Sequence, residues 1–210
     1  MEAVIFDLDG VIVDSEKHWN RAEEEMFRET AGTEVEVRNY EGLSITNTYE
    51  KLSERYDVDL TQEEFYEMYE NRAEEIYLEK AELMKGFKSL TEELRDRGLL
   101  IGLATGSYWP DLVVERFNLD FGSVVGAGDV EGNGKPEPET YRKAVERAGA
   151  EPSESVAVDD TEAGVKSAKN AGIYSIGYNH SDREEAPENA DERIGGPEKL
   201  RSRLLELADK

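Results

Sequence analysis

Two aspartates one residue apart, Asp7 and Asp9, close an apolar run, Val4-Ile5-Phe6, and a glycine, Gly10, follows them. The run has the composition of a buried parallel strand. A buried strand excludes carboxylates, so both acids belong at its C-terminal end, the end at which open α/β sheets bind ligands. Side chains at i and i+2 of an extended segment share a side. Two carboxylates that close repel one another unless a cation or a shared proton intervenes. The pair therefore suggests a hard divalent metal and a reaction that needs both a nucleophile and an acid. The same Asp-x-Asp-Gly pattern also suits a plain turn.

Polar residues follow three further predicted elements. Thr105-Gly106-Ser107 closes an apolar run over 99–104, Asp159 and Asp160 close another over 155–158, and Lys135 stands just before a predicted helix. Each alone has an ordinary explanation: a threonine or Asp-Asp-Thr caps a helix, and a lone lysine is solvated. Together they supply a metal-binding acid cluster, a hydroxyl with a glycine-opened backbone, and one positive point charge. That combination suits phosphoryl transfer. Magnesium (Mg2+) takes oxygen ligands and keeps several waters. Asp7 and Asp160 are read as direct ligands, and Asp159 as direct or through water. Thr105 and the amides near Gly106, expected at a helix N-terminus, hold phosphate oxygens. Lys135 binds phosphate and can restrain Asp7. An aspartate is ionised at neutral pH, so a carboxylate nucleophile needs no activating base.

These positions require a scaffold of alternating elements. Helices are expected over 87–97, 110–117, 138–148, 161–171 and 197–207, and strands over 99–104, 123–125, 155–158 and 173–177. With the opening strand, this alternation implies an α/β fold with a doubly wound parallel sheet. Residues 15–81 differ. They read as helical, from a first helix capped by Asp14 or Ser15, through a short one over 47–56, to a third opened by the capping-box pattern Thr61-Gln62-Glu63-Glu64. The third carries Phe65, Met68, Tyr69, Ala73, Ile76 and Tyr77 on one face. The single strand signal here is 34–37. The expected organisation is an α/β core of residues 1–14 and 82–210 with a helical module, 15–81, inserted after the first strand.

Composition narrows the partners. The 210 residues carry 49 acidic and 25 basic side chains, a net charge of -24, and no cysteine. Disulfides and thiolate chemistry are excluded. A surface of this sign repels nucleic-acid backbones. No apolar stretch is long enough to span a membrane, and no basic-then-apolar leader precedes the first strand, so a cytoplasmic protein is expected. Self-repulsion at this charge is screened in molar salt, where the Debye length is roughly 3 Å. A salt-rich, halophilic source is the expectation.

Four segments resemble the haloacid dehalogenase superfamily, in the subgroup with a small helical cap after the first strand. They are Phe6-Asp7-Leu8-Asp9-Gly10-Val11 with Asp14-Ser15-Glu16; Ala104-Thr105-Gly106-Ser107; Gly134-Lys135-Pro136-Glu137-Pro138 with Tyr141; and Val158-Asp159-Asp160-Thr161 with Gly164 and Ala171-Gly172. Phosphoglycolate phosphatases, 2-deoxyglucose-6-phosphate phosphatases and β-phosphoglucomutases are the similar enzymes. The resemblance implies that Asp7 is a nucleophile forming an aspartyl-phosphate and that Asp9 is the general acid and base. It also implies that Thr105 and Lys135 bind phosphate, and that Asp7, the Asp9 carbonyl and Asp160 hold Mg2+. The chain departs from the subgroup where Asp159-Asp160-Thr161 replaces the common Glu-Asp-Ser; the shorter first acid suggests a water-mediated contact. The dehalogenase branch lacks the second acid of the first motif, so Asp9 favours phosphate chemistry. A signalling receiver domain also clusters acids, a threonine and a lysine, but its acidic pair comes first and its phosphorylated aspartate later.

Within the insert, Tyr40-Glu41-Gly42-Leu43-Ser44-Ile45-Thr46 resembles the loop that such enzymes place over the leaving group. Mutases of the subgroup carry basic residues where this chain has Glu41 and Ile45, so hydrolysis of a monophosphate is expected over mutase chemistry. Glu16, Trp19, Gly42 and Ser44 are the expected specificity residues, with His18 beside them. Trp19 serves equally well as core of the insert. The expected partner is a small phosphorylated metabolite, with neither nucleic acid nor membrane.

Overall fold

The computed structural model describes residues 1–40, 43–132, 134–180 and 186–209. The chain divides into two compact units, Met1–Asp14 with Glu82–Lys210, and Ser15–Ala81.

The first unit is built on a six-stranded parallel sheet. Its strands are β1 (Ala3–Phe6), β4 (Leu100–Ala104), β5 (Ser123–Val125), β6 (Ser155–Asp159), β7 (Tyr174–Asn179) and β8 (Glu192–Gly195), in the order β5-β4-β1-β6-β7-β8. The register aligns Phe6 with Leu103 on one side and Val158 on the other. Three strands thus end level with one another at the centre of the sheet, where the strand order reverses. This is the α/β, doubly wound parallel arrangement that the alternating pattern implied. The runs 3–6 and 155–159 are buried throughout, as strands covered on both faces must be.

Helices α4 (Phe87–Asp96), α5 (Pro110–Arg116), α6 (Glu139–Ala148), α7 (Glu162–Asn170) and α8 (Pro197–Ala208) connect or follow the strands. Tyr141, Ala144 and Val145 of α6 and Ala168 of α7 share a core cluster with Ala3, Ile5 and Ala157 of the central strands. The end of α4 follows the expected logic. Gly98 is left-handed at φ 84°, and the amides of Gly98 and Leu99 return to Arg95 and Leu94. Two elements went unread in the sequence. Edge strand β8 is one, and the other is a ribbon of β2 (Val13–Asp14) paired antiparallel with β3 (Glu82–Leu83).

The second unit consists of α1 (Glu16–Ala31), α2 (Ile45–Arg55) and α3 (Gln62–Glu74), the last running into a π-helical stretch, Glu75–Lys80. The capping box forms as its pattern requires: Glu64 N donates to Thr61 Oγ1, and Thr61 N donates to Glu64 Oε2 at 2.7 Å. Phe65, Tyr69, Ala73, Ile76 and Tyr77 are all buried. Ser15 occupies the N-cap position of α1 without a side-chain capping bond. The strand signal at 34–37 is corrected. Val37–Asn39 forms a 3-10 turn instead. Glu36 accepts from Arg38 and Asn39, which bends the segment onto itself, and an isolated strand has no ladder to satisfy it.

Among the described residues no helix is long and apolar enough to cross a membrane. The net charge of -24 leads to an expectation about salt. The melting temperature is expected to rise by about 2–4 °C or more between low salt and 2 M KCl, the shift that about 1 kcal/mol gives in a chain of this size. A scan across a KCl series checks it, and a flat or falling trend counts against it.

Candidate active site

The level ends of β1, β4 and β6 bring four segments together within the first unit. Asp7 follows β1 directly, and its amide donates to the Val158 carbonyl of β6 at 2.9 Å. Its carboxylate is buried. Gly10 turns the chain back at φ 76°. A Cβ there would stand 1.8 Å from Asp160 Oδ2, so only glycine lets the Asp160 carboxylate lie against this turn.

Lys135 reaches the centre from the loop before α6. Its Nζ donates to Asp7 Oδ1 at 2.5 Å and to Asp159 Oδ2 at 2.6 Å, and its side chain is 10% exposed. The loop is pinned to α7, where Ser167 Oγ donates to the Glu137 carbonyl and Asn170 Nδ2 to the Pro136 carbonyl. Thr161 does two things. Its Oγ1 accepts from Gly164 N and caps α7, while its amide and hydroxyl both donate to Asp159 Oδ1.

Oxygens of Asp7, Asp159 and Asp160 lie within 4.8 Å of one another. This all-oxygen set fits a hard divalent cation. The Asp9 side chain is outside that group and half-buried. Asp159 accepts four hydrogen bonds inside the protein: from Lys135 and Tyr141 on Oδ2, and from the Thr161 amide and hydroxyl on Oδ1.

Burial pushes the Asp7 carboxyl up to about 8, helped by the charges of Asp159 and Asp9 and opposed by Lys135. The two carboxylates hold the Lys135 ammonium above its ordinary range although burial works against it. Burial, then Asp159, keeps the Tyr141 phenol well above 10, so it remains a donor.

Thr105 is buried at the end of β4, and its Oγ1 accepts from Ser107 N at 3.0 Å, which leaves its proton to donate. Gly106 is exposed, in a loop. The expected helix N-terminus is corrected: α5 begins at Pro110, with Trp109 at its N-cap position. Hydroxyl-to-amide turns at Thr105 and Ser107 shape the intervening segment, so the amides near Gly106 belong to a loop.

The insert residues are placed within their own unit. Glu16 is exposed in the first turn of α1. Trp19 donates from Nε1 to the Tyr77 hydroxyl at 3.1 Å and stacks on Tyr69, an aromatic packing role. Ser44 Oγ accepts from Asn47 N and caps α2, and Ile45 is buried. Gly42, with Glu41, lies outside the described residues. Tyr141 entered the sequence reading as a motif position without a role. Its contact with Asp159 spans 18 residues, which no local pattern reveals.

The sequence profile of the haloacid dehalogenase-like hydrolases matches residues 4–178. The chain belongs to that family. A phosphorylated carbohydrates phosphatase of Thermotoga maritima is 30% identical over 197 residues, 86% of this chain and 87% of that one. A β-phosphoglucomutase of Bacillus subtilis is 27% identical over 190 residues, 84% and 83% of the two chains. A crystal structure of β-phosphoglucomutase from Clostridium difficile superposes with a TM-score of 0.80 at 21% identity, covering 100% of this chain and 97% of that one. The fold is that of haloacid dehalogenase-like hydrolases.

Proposed function

We propose that the protein is a magnesium-dependent phosphatase of the cytoplasm, hydrolysing a small phosphorylated metabolite of the sugar-phosphate or phosphoglycolate type. Unit 15–81 acts as its cap. The observation that carries the reading is the Lys135 ammonium seated 2.5 Å from Asp7 Oδ1, where carboxylates of three strand-end acids converge. The similar carbohydrate phosphatase of T. maritima supports the substrate class.

In this mechanism Thr105, Lys135 and amides around Gly106 hold the phosphate oxygens. An Asp7 carboxylate oxygen attacks phosphorus. The bond from phosphorus to the leaving alcohol oxygen breaks, and Asp9 gives that oxygen its proton. Asp9, now a carboxylate, takes a proton from water. That water attacks phosphorus, the bond to Asp7 breaks, and inorganic phosphate leaves. Asp7, the Asp9 carbonyl and Asp160 would hold Mg2+, which neutralises the charge that nucleophile and phosphate bring together.

The β-phosphoglucomutase relative raises mutase chemistry as a second reading. Hydrolysis is favoured because Ile45, apolar and buried, stands at the sequence position where the similar loop of mutases carries a basic residue.

Turnover of p-nitrophenyl phosphate, followed by a phosphate-release screen over phosphorylated metabolites at low and molar salt, tests the reading. Activity is expected with Mg2+ and none after chelation; chelator-resistant hydrolysis or no turnover at all defeats it. Asp9→Ala is expected to lower kcat by about 10²-fold or more while the fold persists, measured with the same substrate.

Metal binding should also titrate. The Asp7 carboxyl is held up to about 8, and the cation takes only its ionised form. Mg2+ affinity is therefore expected to climb with pH and level off above about 8, with proton release near pH 6.5 seen by calorimetry in two buffers. In the metal-free protein the same group binds a proton that the unfolded chain has released. Its contribution to stability is full below the ordinary carboxyl range and is lost as pH rises through about 8. Saturating Mg2+ should remove that decline. Affinity independent of pH would exclude Asp7 as a ligand.

A further inference from the structure

Tyr141 is fully buried in the first turn of α6, and no step above uses it. Its hydroxyl donates to Asp159 Oδ2 at 2.7 Å, and its ring lies 4.9 Å from Lys135 Nζ. The same Asp159 oxygen accepts from Lys135 at 2.6 Å, and the other is taken up by the amide and hydroxyl of Thr161. A Cβ at Gly164 would stand 1.9 Å from this carboxylate, so the start of α7 closes over it as well. Four donors in fixed positions leave Asp159 little freedom to turn toward a cation.

We propose that Tyr141 is a positioning residue: with Thr161 it fixes the Asp159 carboxylate as a counterion for Lys135, so that Asp159 serves the lysine and the cation is held by Asp7 and Asp160. This rests on the phosphatase reading and deepens it. The lysine has two carboxylates within reach, and its placement on Asp7 depends on where the second one stands. A phenol that shares the Asp159 oxygen with Lys135 sets that position. Its ring lies under the ammonium and keeps water away from the bond.

Tyr141→Phe removes one hydroxyl and keeps the ring, so the core remains filled. The Lys135 ammonium can be followed in 1H–15N spectra of the lysine side chains, assigned by its loss in Lys135→Met. In Tyr141→Phe that signal is expected to shift or broaden. With p-nitrophenyl phosphate, kcat is expected to fall about tenfold, the worth of one hydrogen bond to a charged group, with KM within twofold. Mg2+ binding to the metal-free protein, read by calorimetry, should stay within twofold. An unchanged Lys135 signal with unchanged kcat overturns the proposal. So does a fivefold or larger change in Mg2+ affinity, which would make Asp159 a metal ligand. A wild-type protein without turnover whose Lys135 signal still responds to Tyr141→Phe defeats the phosphatase reading and leaves this one standing.

Discussion

Asp7→Asn is expected to abolish phosphate release, lowering kcat by about 10⁴-fold or more, with the fold intact. An amide oxygen is a poor nucleophile, and losses of this size follow removal of a covalent nucleophile. Folding should survive because asparagine has nearly the same shape, and the amide of residue 7 keeps its bond to Val158. Asparagine also relieves a cost, since burial and two neighbouring acids disfavour a charge at this position. The metal-free variant is therefore expected to melt no lower than the parent near pH 8. Circular dichroism and a burst-free progress curve with p-nitrophenyl phosphate check both halves. A fully active, folded Asp7→Asn protein would remove the covalent mechanism altogether.

The second large effect is expected at Lys135. Lys135→Met should lower kcat by about 10²- to 10³-fold, the usual loss when a preorganised charge partner is withdrawn. It should also destabilise the protein by about 3 kcal/mol, because breaking a buried ion pair leaves its partners uncompensated. Here the ammonium joins two buried acids at 2.5 and 2.6 Å, so both lose a charged partner together. The sign of the pH dependence follows. Without the ammonium nothing opposes the burial that pushes the Asp7 carboxyl up to about 8, so it protonates at higher pH still and the deficit should narrow as pH falls toward about 8. Urea titrations at pH 9.5 and pH 7 measure the two limits. A deficit that is the same at both would mean that Lys135 contributes through packing and not through charge.

The parts of this fold that sequence alone makes legible are those where one physical demand acts over a whole segment. Residues 3–6 and 155–159 are buried on both faces, so their apolar runs admit no other reading. Strand β8 escaped because it lies at the sheet edge, where Glu192 and Arg193 stay toward solvent and Ile194 is its single buried residue. The 34–37 segment misleads for the converse reason: Val35 and Val37 alternate with acids, but among the described residues no neighbouring strand completes a ladder. The site divides the same way. Acids at strand ends are visible because carboxylates cannot lie inside a buried strand. The hydrogen bonds that hold Asp159 are not, because they depend on Tyr141 and Lys135 arriving from one distant loop and helix. The helix end expected near Gly106 lies further on, at Pro110, because Thr105 and Ser107 first spend their hydroxyls on shaping a loop.

The short ribbon formed by Val13–Asp14 and Glu82–Leu83 sets the points at which the insert leaves and rejoins its host. Asp14 is the direct partner of Glu82, so departure and return are the two ends of one rung. A tight two-residue reversal such as Asn-Gly could bridge that gap. Excision or grafting of the intervening segment then asks nothing new of the parallel sheet. Selection can exchange one inserted module for another while the strand-end acids stay where they are, and kin sharing those acids are free to diverge in what they recognise.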